Sequence, residues 1–158
     1  MTLATGEIGP GGITPGSNGV LWTSPSSGTV RFLDPATTSG PRSIATGQDS
    51  PGAIVASGND VFWLNVGSGQ IMRGTTSSPS PPVILASQRV APTALAVDAT
   101  HVYWIDSVPL NGSVMKVRRD GGTPIALARG VDMPIDLAID ATHVYWVAQN
   151  GEIRRVPK

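Results

Sequence analysis

The chain has 158 residues, and its eleven basic and eleven acidic side chains give a formal net charge of zero. That balance, with neither sign clustered, argues against nucleic acid or an anionic membrane as the main partner. The absence of cysteine excludes disulfides, thiol catalysis and thiolate metal sites.

In chain order, the first element is Thr2–Thr5 in "TLATG", which aligns with "ALARG" near position 128 and reads as a strand separated from its own unit. After Pro10, Gly11 and Gly12 precede a weak inner strand that includes Pro15, where a lost ladder donor makes this the least regular unit. "VLW" ends at Trp22, and "SIA" follows at 43–45. The next unit carries "VFW" at 61–63 and "VILA" at 83–86. The third has "ALAV" at 94–97, a short continuous apolar run suited to a buried strand. "DATHVYW" then runs from Asp98 to Trp104 and recurs from Asp140 to Trp146. "GSVMKVRR" and "GEIRRV" alternate, with Val114, Met115, Val117, Ile153 and Val156 inward and Lys116, Arg154 and Arg155 toward water. "PIALA" at 124–128 supplies another strand.

Three landmarks hold one register. Trp22, Trp63, Trp104 and Trp146 are spaced by 41, 41 and 42; a proline precedes each (Pro10, Pro51, Pro92, Pro134), and an alanine precedes each proline (Ala4, Ala45, Ala86, Ala128). The units span about 10–50, 51–91, 92–133 and 134–158 of a single domain, 1–158. Asn111-Gly112, Asn150-Gly151 and Asp120-Gly121-Gly122 separate strands and predict positive φ at the turns. Four-stranded antiparallel units of this length predict an all-β fold, a β-propeller.

The segments "P-x-x-L-A-[VI]-D", "VYWID", "VYWVA" and "GSVMKVRRDGG" resemble the YWTD blades of lipoprotein-receptor propellers and related bacterial tandem repeats. At the acidic fourth position of that motif stands Asp106, replaced by Ser24, Asn65 and Ala148 in the other units. The resemblance implies a strand-tying hydrogen bond there. Rings of that kind have about six to eight blades. Four blades per chain therefore raise the expectation of a homodimer closing an eight-bladed ring, beside a closed monomer or part of a larger array. In either closure Thr2–Thr5 pairs antiparallel with Glu152–Val156 and completes the last blade.

His101 and His143, each after a threonine in the same turn, read as turn residues rather than a metal pair. The four tryptophans read as inter-blade packing. The sequence has no H-E-x-x-H, G-x-S-x-G elbow or P-loop. "NGS" at Asn111–Ser113 matches a glycosylation acceptor, and its hairpin role explains it equally well. The loops after each tryptophan and before each proline vary most, and variable loops on a regular scaffold are where repeat proteins carry recognition.

The reading is a non-enzymatic binding module for a protein or glycan, with Asp49, Asn65, Arg89, Asp106, Asp132 and Gln149 as ligand-binding candidates and no cofactor. Its rival is a propeller hydrolase or lyase with a divalent cation held by Glu7, Asp49, Asp106 and Asp132. The opening "MTLATGEIGP" lacks the basic start and apolar run of a signal peptide. No apolar stretch is long enough for a membrane span. Only 14% charged residues, with 19 glycines and 14 prolines, favour a secreted or cell-surface setting.

Overall fold

The computed structural model describes residues 2–77 and 80–158. The first blade comprises β1 (Ile13–Pro15), β2 (Val20–Ser24), β3 (Thr29–Leu33) and β4 (Arg42–Ala45). The second comprises β5 (Pro51–Ser57), β6 (Asp60–Asn65), β7 (Gln70–Thr75) and β8 (Val83–Ala86). The third comprises β9 (Pro92–Val97), β10 (His101–Asp106), β11 (Gly112–Arg118) and β12 (Ile125–Val131), and the last holds β13 (Pro134–Ile139), β14 (His143–Ala148) and β15 (Ile153–Pro157). Each is an antiparallel meander with its strands in chain order. The expectation of an all-β array of four repeated blades is met.

Blades stack through their inner strands, β1 on β5, β5 on β9 and β9 on β13. The second-blade residues Phe62, Leu64 and Ile71 meet Val102, Trp104 and Met115 of the third. The same pattern joins first to second through Leu21, Val30, Val61, Trp63 and Met72. A branched or aromatic residue at every second position fills these layers because the strand places alternate side chains on opposite faces.

Three of the landmark prolines open β5, β9 and β13, where a missing donor is tolerated. The residues before the four prolines, Gly9, Ser50, Ala91 and Met133, all take left-handed φ, so the backbone repeats even where the side chains do not. The inner strand of the first blade is short, as Pro15 predicts: β1 has 3 residues and β9 has 6. Amide exchange over residues 11–16 is expected to be faster than over 93–98. Equal protection of the two segments by mass spectrometry or NMR would contradict this.

Two expectations are corrected. Residues 2–5 form no strand, and the last sheet has three strands, with β15 at its edge. The N-terminal segment is held instead on the first blade, where Glu7 accepts the Trp22 Nε1 hydrogen at 3.1 Å and pairs with Arg31 at 3.3 Å. Its own fourth blade lies at the other end of the array. Ile153, expected inward, is 78% exposed, because a residue facing the next blade has no such blade to meet.

Candidate functional site

The loops before each first strand and after each second strand are laced together by backbone bonds: Val66 N–H to Ser50 O (3.2 Å), Ser107 N–H to Ala91 O (3.0 Å) and Gln149 N–H to Met133 O (3.0 Å). These bonds place the six candidate residues in or next to the paired loops of the second, third and fourth blades. Their exposure differs. Asp49 and Gln149 are exposed, and Asp132 and Arg89 are half-buried. Asn65 and Asp106 are only 4% exposed and are withdrawn from the surface.

The tryptophans explain that withdrawal, since a buried indole N–H needs an acceptor. Trp63 Nε1 donates to Gln48 Oε1 and Asn65 Oδ1, both at 3.1 Å. Trp104 Nε1 donates to Asp106 Oδ1 at 3.0 Å, and Asp106 Oδ2 also accepts from Ser113 Oγ at 3.2 Å, the strand-tying bond that the motif implies. In the last blade Val131 and Ala148 stand at the corresponding positions, so neither side chain can accept, and the buried Trp146 Nε1 has no partner among the described residues. Trp63→Phe is therefore expected to cost about 1–3 kcal/mol more than Trp146→Phe, because only the former leaves a buried acceptor, Asn65 Oδ1, without its donor. Equal losses in urea melts would refute this.

The third unit departs from the others. Residues 25–28 and 66–69 join the second and third strands of the first two blades, whereas 107–111 do so in the third. The longer loop displaces the turn. Gly28, Gly69 and Gly151 take left-handed φ just before their third strands, but here φ of 58° falls on Leu110 instead of the expected Asn111-Gly112. A Cβ on Gly112 would lie 2.5 Å from Pro134 Cδ, so close approach rather than positive φ requires that glycine. Asp132 Oδ1 accepts the Leu110 N–H at 2.9 Å and props the loop.

Beside it lies a cleft of about 240 Å³ lined by Arg89, Val90, Asp106, Val108, Asn111, Ser113 and Arg129. Arg89 forks onto Asp106 Oδ2 at 3.2 and 2.9 Å, which neutralises it. Arg129 makes no ion pair or side-chain hydrogen bond among the described residues and is exposed. Leu110 is 78% and Val90 61% exposed at the rim. Sequence reasoning missed Arg129 and Leu110. Their signal was deviation from the repeat: the positions of Arg129 in earlier units are Thr46 and Ser87.

Among the described residues, no three of His, Cys, Asp and Glu come together as a bound cation requires. Glu7 is tied to Trp22 and Arg31, Asp106 to Arg89, and Asp132 to the Leu110 amide. The histidines serve the turns between first and second strands. Asp98 Oδ1 accepts the Thr100 and His101 N–H groups at 2.8 Å, and Asp140 repeats this with Thr142 and His143 at 2.7 Å. Burial alone would raise the Asp98 carboxyl, but hydrogen bonds from Lys158, Thr100, His101 and Tyr103 outweigh it and hold it well below 3.8. A depressed carboxylate stabilises the fold above its unfolded pKa, and the contribution is lost as pH falls through the folded value. Asp98→Asn is therefore expected to flatten the acid limb of the stability profile below about pH 4, and an unchanged limb would count against it.

No family profile and no curated protein matches the chain. Solved structures do. The nidogen chain of a nidogen/laminin complex superposes with a TM-score of 0.77 at 19% identity, over 96% of this chain and 66% of that one. The computationally designed Ika4 protein gives 0.79 at 15% identity, over 99% and 95%. A virginiamycin B lyase from Staphylococcus aureus, in a catalytically inactive form with quinupristin, gives 0.69 at 16% identity, over 99% and 58%. The chain thus spans about two thirds of the nidogen chain and somewhat more than half of the lyase. At these identities the likeness carries architecture alone: the repeated units are β-propeller blades.

Proposed function

We propose that the protein is a non-enzymatic binding module that recognises a protein or glycan through its loop face, centred on the third blade. The observation that carries this reading is Leu110. A leucine in left-handed φ costs about 1 kcal/mol, and this one is held there by Asp132 with its side chain 78% in water. An exposed apolar tip on the loop that flanks an open cleft, with Arg129 lining that cleft and unpaired among the described residues, has the composition of a recognition patch, with an apolar anchor and a cation that reaches an acidic group. The YWTD resemblance favours binding over catalysis, and the fold by itself supports either.

The test is a glycan array and a displayed-peptide library probed with the wild type, Leu110→Ser and Arg129→Ala. Binding in the wild type that falls at least about tenfold in both variants, with unchanged melting, supports the reading. Silence of the wild type on both, or binding indifferent to both variants, overturns it. Melts with calcium, magnesium, manganese or zinc are expected to show no shift, and a concentration-dependent rise would favour a cation-dependent hydrolase or lyase instead.

A further inference from the structure

The last blade leaves one face uncovered and the first has one covered only by the N-terminal segment, and those faces are the two halves of the contact that joins every interior pair. Between the third and fourth blades, Tyr103, Ile105 and Val114 on one side meet Val144, Trp146 and Ala148 on the other. Ile105 pairs with Val114 across β10 and β11, and Val147 pairs with Ile153 across β14 and β15 at the corresponding place. The interior pair is 0% exposed, whereas Val147 is 37% and Ile153 78% exposed. With Leu137 and Tyr145 they line an apolar hollow of about 140 Å³. The first blade presents the complementary half: Val20 and the buried Trp22 and Leu33, at the positions of Val144, Trp146 and Val156, line a hollow of about 380 Å³ with Leu3, Ala4 and Glu7 of the N-terminal segment, and Leu3 and Ile13 remain 48% and 71% exposed there. One end supplies the knobs that the other end receives.

The segment before Pro10 adds a register. Glu7 takes the Trp22 Nε1 hydrogen from fifteen residues upstream, as Gln48 takes that of Trp63. Gln48 stands just beyond β4, the fourth strand of the preceding blade. Residues 2–7 therefore lie where a preceding blade's fourth strand would leave. In the complete blades the landmark alanine of that strand sits opposite a third-strand residue: Ala45 opposite Val30, Ala86 opposite Ile71 and Ala128 opposite Val114. Ala4 is the remaining alanine, and Ile153 is the remaining third-strand residue, on an edge with no fourth strand.

We infer that a second copy of this chain covers both faces head to tail, with Val147 and Ile153 packed on Trp22 and Ile13 of the second copy and Ile153 paired antiparallel with its Ala4. The occupant is this chain because the two faces already carry the two sides of its own repeated interface, and Ala4 waits at the matching register. Two copies joined in this way use each end face once per chain, leave no apolar end uncovered and pair the β15 edge. The interface is separate from the loop face, so it stands or falls independently of the binding reading.

The absence of native cysteine makes a cross-linking test specific. Ala4→Cys with Ile153→Cys, oxidised, is expected to give a covalent dimer on a non-reducing gel. Ala4→Cys with Arg154→Cys, one residue out of register and facing the other side of the strand, is expected to give far less. Light scattering of the unaltered 158-residue chain is expected to give twice the chain mass. Val147→Arg with Ile153→Glu, both at exposed positions, is expected to give a monomer whose circular dichroism spectrum is unchanged. A monomer at every concentration, a dimer that survives the paired substitution, an open series of larger masses, or a disulfide that closes within one chain would each overturn the inference.

Discussion

Trp104→Ala is expected to lower stability by about 3–5 kcal/mol, the range for removing a fully buried tryptophan from a packed core. Trp104 is 0% exposed and lies in the layer between the second and third blades with Phe62, Leu64, Ile71, Leu95 and Met115. Truncation opens a cavity between two sheets, and sheets whose strands are fixed by ladders on both sides cannot close over it. It also removes the Nε1 donor to Asp106 and the ring over which Arg89 sits at 5.9 Å. Against a total stability of about 5–15 kcal/mol, this is a third or more of what holds the fold. The midpoint of thermal unfolding should drop by roughly 10 °C. Trp22→Ala should cost less, since Trp22 belongs to none of the three layers shared by two blades of the chain. A Trp104→Ala loss below about 1 kcal/mol would show that the blades do not share this layer.

Arg119→Ala is expected to cost about 2–3 kcal/mol, from charge-assisted hydrogen bonds lost at a half-buried site. Its guanidinium ties the third blade to the second: Nη1 donates to Ser57 Oγ and to Asp98 O at 3.0 Å, and Nη2 to Ser57 O at 3.2 Å and Asp60 Oδ2 at 2.9 Å. The Cζ atom lies 5.2 Å from the centre of the Phe62 ring. Only 16% of the side chain is exposed, so solvent does little to replace these bonds. Arg73 remains on Asp60 through Oδ1 and keeps that carboxylate from being stranded, which is why the loss stays below that of an isolated buried pair. Arg119→Lys should recover less than half, because an ammonium cannot serve four acceptors in the plane of a fork. Arg118→Ala is the control. Its partner Asp120 and Arg118 itself are both about two-thirds exposed, and the melt should not move.

The residues that sequence placed correctly are those whose role is fixed within one blade. The Pro–Trp spacing sets the hairpin from first to second strand, and Trp104 opposite Leu95 reproduces Trp63 opposite Ile54. The Asp-Ala-Thr-His turn is equally local: Asp98 and Asp140 find acceptor geometry within three residues, which makes His101 and His143 turn residues in both copies. The weak first inner strand follows from Pro15 and two glycines alone. In each case the deciding interactions lie within a dozen or so residues along the chain, and the repeat states them more than once.

What only the tertiary structure decided depends on which blade lies next door. Val114 and Ile153 occupy the same position in their units, yet one is sealed and the other open, because only the third blade has a neighbour on that side. Asn65 has the look of a loop ligand and is instead an acceptor for Trp63, with Gln48 completing the set from 17 residues away. Arg119 meets Ser57 across 62 residues, a pairing that no local pattern expresses. Leu110 became a candidate anchor only when the longer loop moved the left-handed turn onto it and Asp132, 22 residues later, fixed it there. The sequence by itself determined the blade, since hydrophobic period, turn residues and tryptophan spacing act within each repeat. The structure decided which faces, charges and side chains remain for a partner, since those depend on contacts between repeats.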